Sequence, residues 1–225
     1  MSEQNSRAFS GRCNIHLHNG DCMEALRGFN DNSFELAIVD PPYGLGKRTT
    51  DGGSKRNTQT KFMEDIRRTN WDDSTPTKEY FNELIRISKN RIIFGANYFN
   101  CFDKNGGAII WIKNQPMPNF SKAVIASCSF HKKIEVYNQT WTNFIHKGRT
   151  GIHPCEMPID IFKWILKKYA GPGEKIIDTH AGSMSSRIAC YDGGFDYWGW
   201  ELDEDYFDVG CKRFENFKKQ LKLFQ

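Results

Sequence analysis

Apolar positions along the chain follow two periods. Short, almost wholly apolar runs read as strands buried on both faces: "FELAIVD" (34–40), "RIIFGA" (91–96), "GAIIWIKN" (107–114), "KIID" (175–178) and "DYWGWEL" (196–202). Between them lie stretches with apolar residues three or four apart. "TKEYFNELIRISKN" (77–90) puts Tyr80, Phe81, Leu84, Ile85 and Ile87 on one stripe, and "PIDIFKWILKKYAGPG" (158–173) is amphipathic with a Gly-Pro-Gly stop. "CMEALRGF" (22–29), the residues after Ser185, and "DEDYFDVGCKRFENFKKQLK" (203–222) complete the helices. Two segments alternate strictly. "NIHLHNGD" (14–21) reads as a short strand, and "HKKIEVYNQTW" (131–141) as an antiparallel edge strand. His16 and His18 share one face of the first, which reads as a solvated face because no further ligand cluster accompanies them. The order is mostly strand–helix–strand. It predicts an α/β fold with a doubly wound, mostly parallel, seven-stranded sheet and an antiparallel edge hairpin.

The chain has 225 residues, 39% of them hydrophobic and 14% aromatic, enough for one sizeable core and short for two. No internal repeat or linker divides it, so residues 1–225 are expected to form a single domain. No apolar run reaches membrane-spanning length and the first residues are polar, so the default expectation is a cytoplasmic protein. Seven cysteines occur, none in a C-x-x-C spacing, which argues against both a disulfide framework and a zinc site. No metal is expected. The net charge of +4 is mild, but its distribution is uneven. Between 47 and 68 lie Lys47, Arg48, Lys55, Arg56, Lys61, Arg67 and Arg68 against Asp51, Glu64 and Asp65, among Thr, Ser, Gly and Asn. So polar a loop, at about 45–75, suits contact with a polyanion.

Two loops carry candidate chemistry. "DTHAGSMSS" (178–186) joins a buried strand to a helix. Its glycine and small residues let a ligand approach the backbone at a helix N-terminus. Glu201 ends the next strand, and an acidic residue about 20 positions past such a turn binds ribose hydroxyls. This is a nucleoside-binding βαβ unit without the G-x-G-x-x-G of a dinucleotide site. The second loop is "DPPYG" (40–44), where two prolines stop a strand behind Asp40. Ligands of doubly wound sheets bind beyond the carboxyl ends of strands at the switch point, so the two loops face each other if their strands are central neighbours.

The motif Asp40-Pro41-Pro42-Tyr43 resembles the catalytic motif of S-adenosylmethionine-dependent amino-group DNA methyltransferases. The loop Asp178–Ser186 resembles their cofactor loop, and "HPCEMP" (153–158) the short motif before it. With the catalytic motif first, the order is similar to the circularly permuted β class with its Rossmann-like methyltransferase fold. The resemblance implies transfer of a methyl group to the N6 amino group of adenine in double-stranded DNA, with the target base flipped out, in the setting of restriction–modification. A cytosine-N4 enzyme is the alternative, and a catalytically weak cofactor- or DNA-binding module a second. It implies catalytic roles for Asp40, Pro41, Pro42 and Tyr43. It implies cofactor contacts from Asp21, Cys22, Asp178, His180, Ala181, Gly182, Ser183, Ser185 and Glu201. Asp21 reads nearly as well as a helix N-cap. DNA contacts are expected from Lys47, Arg48, Lys55, Arg56 and Lys61, with a minimal target-recognition region at about 114–152. So small a protein covers little duplex, which favours a homodimer or a short site. Three positions depart from the family pattern: His180 stands for an aromatic, Met184 for a glycine, where it is expected to crowd the loop, and Met157 for a lysine. Pro154–Cys155 matches the dipeptide of a cytosine-C5 nucleophile, but no activating constellation accompanies it.

Overall fold

The computed structural model describes residues 13–46, 72–115, 121–140 and 155–223. Among these, the strands are β1 (Ile15–Asn19), β2 (Phe34–Val39), β3 (Ser88–Phe94), β4 (Ala108–Ile112), β5 (Ala123–Cys128), β6 (Ile134–Asn138), β7 (Lys175–Asp178) and β8 (Asp196–Glu201). The helices are α1 (Cys22–Gly28), α2 (Lys78–Ile87), α3 (Ala96–Phe99), α4 (Ile159–Tyr169), α5 (Ser185–Gly193) and α6 (Glu204–Leu223).

Continuous apolar runs form the central strands because both faces of the sheet are covered. Successive side chains point to opposite faces. Leu36, Ile38, Ile92 and Ile176 meet Ile161, Phe162, Ile165 and Leu166 of α4 and Ala189 and Cys190 of α5 in one layer. Ala37, Val39, Ile93 and Ile177 meet Leu26 of α1 and Tyr80, Leu84 and Ile87 of α2 in the other. Leu84 is fully buried; truncating such a side chain costs about 2–5 kcal/mol. Side-chain caps start the helices of the second layer. Asp21 accepts from the Met23 N–H at 2.9 Å and Thr77 from the Tyr80 N–H at 3.3 Å. Arg86 then joins α2 to the end of α1, donating to the carbonyls of Leu26 (2.9 Å) and Phe29 (2.7 Å).

The strand order is β1-β8-β7-β2-β3-β5-β4-β6. Strands β2 and β7 are parallel neighbours, with Leu36 opposite Ile176 and Ala37 opposite Ile177. From β2 the chain winds outward to β3, and from β7 in the other direction to β8. The switch point therefore lies between β2 and β7, and Asp40 and Asp178 stand at their carboxyl ends.

The sheet has eight strands where seven were expected. The additional one is β5, whose small residues (Ala126, Ser127, Cys128) gave too weak an apolar signal to register. It is also the reversed strand, antiparallel to β3 and β4 and lying between them. The edge strand β6, expected to be antiparallel, runs parallel to β4. Parallel neighbours normally need a long crossover. Here β5 has already carried the chain back, so residues 129–133 need only pass beneath the start of β4. Gly107 makes that passage possible: a Cβ there would lie 1.9 Å from the His131 carbonyl oxygen and 2.4 Å from that of Cys128.

Candidate active site

One cleft, of about 520 Å³, opens beyond the carboxyl ends of β7, β8 and β2. Asp21, Cys22, Asp40, Pro42, Asp178, His180, Ala181, Gly182, Ser183, Ser185 and Glu201 all line it. With Asp203, which also lines it, five carboxyl groups converge, and no lysine or arginine is among the lining residues. Burial raises three of them: Asp40 to about 6, Asp178 to about 7, and Glu201 above the usual carboxylate range. The hydroxyl of Tyr43 and the ammonium of Lys113 pull Asp40 the other way. Asp40 and Glu201 each raise Asp178 further by repulsion. Such a cleft favours a ligand bearing positive charge, because each carboxylate is costly to ionise without one.

The loop after β7 is shaped by hydrogen bonds to its own acidic residues. Asp178 accepts from the His180 N–H (3.0 Å) and from the Ser186 hydroxyl. Glu201 accepts from the Gly182 N–H (2.7 Å) and the Asp203 N–H (2.9 Å), and Ala181 N–H bonds the Trp200 carbonyl at 2.8 Å. His180 is held neutral, its imidazole pushed down to about 4 by burial. Its Nδ1 lies 2.9 Å from Thr179 Oγ1, which is 2.6 Å from the Tyr80 hydroxyl of α2. From α6, Arg213 donates to the Ser183 carbonyl (2.6 Å) and Ser185 Oγ (3.0 Å) and pairs with Glu156 at 2.7 Å.

Met184, expected to crowd this loop, does not line the cleft. Its backbone is left-handed (φ 64°) and its side chain is fully buried toward α6. Gly210 makes the room: a Cβ there would lie 2.5 Å from Met184 Cγ. Met157 does line the cleft, and its carbonyl accepts from the Ser185 hydroxyl at 2.7 Å.

After β2, Pro41 is buried and Tyr43 is not among the residues that line the cleft. The Tyr43 hydroxyl donates to Asp40 Oδ1 at 2.6 Å. Its ring stacks on Tyr98, with centroids 4.7 Å apart, and meets Phe99 edge-on. Gly95 leaves space for the ring, since a Cβ there would lie 2.2 Å from Tyr43 Cε1. The Tyr43 and Gly44 N–H groups both bond to Asp72 Oδ1, at 2.6 and 2.9 Å.

Lys47, Arg48, Lys55, Arg56 and Lys61 lie outside the described residues, as do most of the loop at 45–75 and the parts of 114–152 other than 114–115 and 121–140. Strands β5 and β6 fall within that second stretch. His16 and His18 stack on Trp198 and Trp200 of the neighbouring β8 at 4.7 and 5.0 Å. Among the described residues no group of three His, Cys, Asp or Glu side chains could hold a metal ion, and no helix is long and apolar enough to cross a membrane. The seven cysteines form no disulfide. Sequence reasoning missed Thr179, Tyr80, Tyr98, Gly95, Asp72 and Arg213. Of these, only Thr179 carried a usable signal, as a residue inside the loop already singled out.

No family model matches the chain. The Type II methyltransferase M2.MboI of Moraxella bovis is 22% identical over 254 residues, spanning 93% of this chain and 90% of that protein. Among solved structures, the PvuII DNA methyltransferase, described as cytosine-N4-specific, aligns with a TM-score of 0.61 and 13% identity over 93% of this chain and 92% of its own. The M1.HpyAVI–SAM complex aligns with a TM-score of 0.54 and 17% identity over 88% of this chain and 98% of its own. In sequence the chain is thus similar to curated methyltransferases, and it shares its fold with solved DNA methyltransferases.

Proposed function

We propose that the protein transfers a methyl group from S-adenosylmethionine to the N6 amino group of adenine in DNA. The observation that carries this reading is the placement of Asp40 and Asp178. They end adjacent parallel strands and line one carboxyl-rich cleft. The residues fit the cofactor by charge, since S-adenosylmethionine brings a sulfonium and an ammonium to a wall of carboxyl groups. Glu201 would take the ribose hydroxyls. Asp178 with the loop His180–Ser185 would hold the methionine end, and Asp21 and Cys22 would lie by the adenine. When bound, the cofactor supplies an electrophilic methyl group.

The remaining chemistry belongs to the chain. Adenine N6 is a poor nucleophile because its lone pair is delocalised into the ring. Asp40 accepting one amino N–H and the Pro41 carbonyl accepting the other localise that lone pair. Proline fixes the backbone between these acceptors, so little reorganisation accompanies reaction. With its carboxyl near 6, Asp40 is ionised at neutral pH and is a base able to take the proton released. A base must leave the duplex stack to reach such a cleft, and the ring of Tyr43, beside Asp40 at its edge, would stack on it.

The same residues would serve cytosine N4, and the likeness to the PvuII enzyme favours that second reading. Asp40 at the head of the motif favours adenine, because cytosine-N4 enzymes more often carry Ser there. Methylation-sensitive sequencing of DNA from cells expressing the wild type or Asp40→Ala separates the two. N6-methyladenine present only with the wild type is expected. N4-methylcytosine would overturn the base assignment. With purified protein, cofactor binding without transfer of labelled methyl to any DNA would reduce it to a binding module. DNA contact through the basic residues at 47–61 and a homodimer complete the proposal; sedimentation as a monomer with and without DNA would remove the dimer.

A further inference from the structure

We propose that Asp72 is a positioning residue for methyl transfer, its carboxylate holding the Asp40–Tyr43 turn in the form that presents both acceptor and aromatic ring. The inference rests on the function proposed above. The problem it solves is set by the sequence. Pro41 and Pro42 have no N–H, so for two residues after Asp40 the backbone offers no donor by which a neighbouring strand could hold it. The first donor available is the N–H of Tyr43.

Asp72, 29 residues downstream of that donor, takes it at 2.6 Å and takes the Gly44 N–H at 2.9 Å with the same oxygen. The Leu45 N–H also bonds this carboxylate, and the Asp72 carbonyl accepts from Gly46 at 2.9 Å. Successive N–H groups converging on one anion form a nest. Here the anion is a side chain only 7% exposed. Gly44 lets the turn lie flat against the following segment. Its φ is +70°, and a Cβ would lie 3.0 Å from Thr75 Cγ2 and 3.2 Å from the Thr75 nitrogen. Tyr43 is therefore held at both ends, its N–H by Asp72 and its hydroxyl by Asp40 (2.6 Å), with its ring on Tyr98. Asp72 is not part of the cofactor cleft. Its effect on the reaction passes through the turn.

The test compares Asp72→Ala and Asp72→Asn with the wild type, using labelled S-adenosylmethionine and unmethylated phage DNA. Cofactor affinity is measured by calorimetry on the same samples. A displacement of about 1 Å costs on the order of 100-fold in rate, so kcat of Asp72→Ala is expected to fall by about that factor. Its cofactor affinity should stay within about twofold, because the turn and not the cleft is disturbed. Asn keeps an acceptor oxygen for the two N–H groups and is expected to restore most of the rate. Amide exchange at Tyr43 and Gly44 should accelerate in the Ala variant and slow again in the Asn variant. Equal turnover in Asp72→Ala and wild type would overturn the inference, as would an Asn variant as slow as the Ala variant. Loss of cofactor affinity in parallel with turnover would also overturn it, by showing general damage. A wild type that transfers no methyl group would refute the proposed function instead.

Discussion

Replacing Asp178 with Asn should stabilise the ligand-free protein at alkaline pH while abolishing cofactor binding. Asp178 is 3% exposed, and its carboxyl is raised from 3.8 to about 7, chiefly by burial. A carboxyl raised on folding makes a contribution that is fully present below the unfolded value and lost as pH rises through the folded one. At 1.36 kcal/mol per unit, the shift from 3.8 to about 7 amounts to about 4 kcal/mol against the folded state above pH 7. Asn keeps an acceptor for the His180 N–H and a donor for the Ser186 hydroxyl, so the local hydrogen bonds can be remade. His180, held near 4, runs the other way between about pH 4 and 6.5, so the wild-type curve by itself is a sum. The difference between variant and wild type isolates the carboxyl. Between pH 5 and 8 that difference should widen by about 3 kcal/mol in favour of Asn, since only the interval from 5 to the folded value of about 7 contributes. Urea unfolding at the two pH values, with unchanged m, measures it. Titration with S-adenosylmethionine should show no binding to the variant. A stability difference that is the same at pH 5 and pH 8 would refute the account of the cleft as a store of uncompensated carboxyl groups.

Methyl transfer should decline about tenfold per pH unit below about 6, because Asp40 accepts an amino N–H only when ionised; a kcat profile flat down to pH 5 would contradict this. Gly95→Ala should drive the Tyr43 ring off Tyr98, since the new methyl would lie 2.2 Å from the ring at a backbone φ of +73°. Labelled-methyl assays should then show a severe loss, with a stability cost of about 1–3 kcal/mol. Gly210→Ala should cost about 1–3 kcal/mol by overpacking against Met184, read by thermal unfolding.

The amino-acid order was enough to establish several features by itself. Apolar runs such as Phe34–Val39 have a single physical use, burial on both faces, so the parallel α/β class followed from them. Prolines 41 and 42 cannot continue a ladder, so Asp40 had to stand at a strand end. Glycine and small residues after Asp178 announced a loop open to a ligand. These are local properties, set by side-chain shape and backbone donors within a few residues. What the tertiary structure alone decided is everything that depends on pairing across long separations. It made β2 and β7 neighbours, bringing Asp40 beside Asp178. It reversed β5 inside the sheet and ran β6 parallel, through a passage that only Gly107 permits. It set Gly210 against Met184, so a residue that looks obstructive in the sequence points away from the cleft. It also placed Asp72 under the Tyr43 turn. None of these leaves a period or a motif, because a contact made once between distant residues, by one hydrogen bond or one missing Cβ, has no repeat along the chain to reveal it.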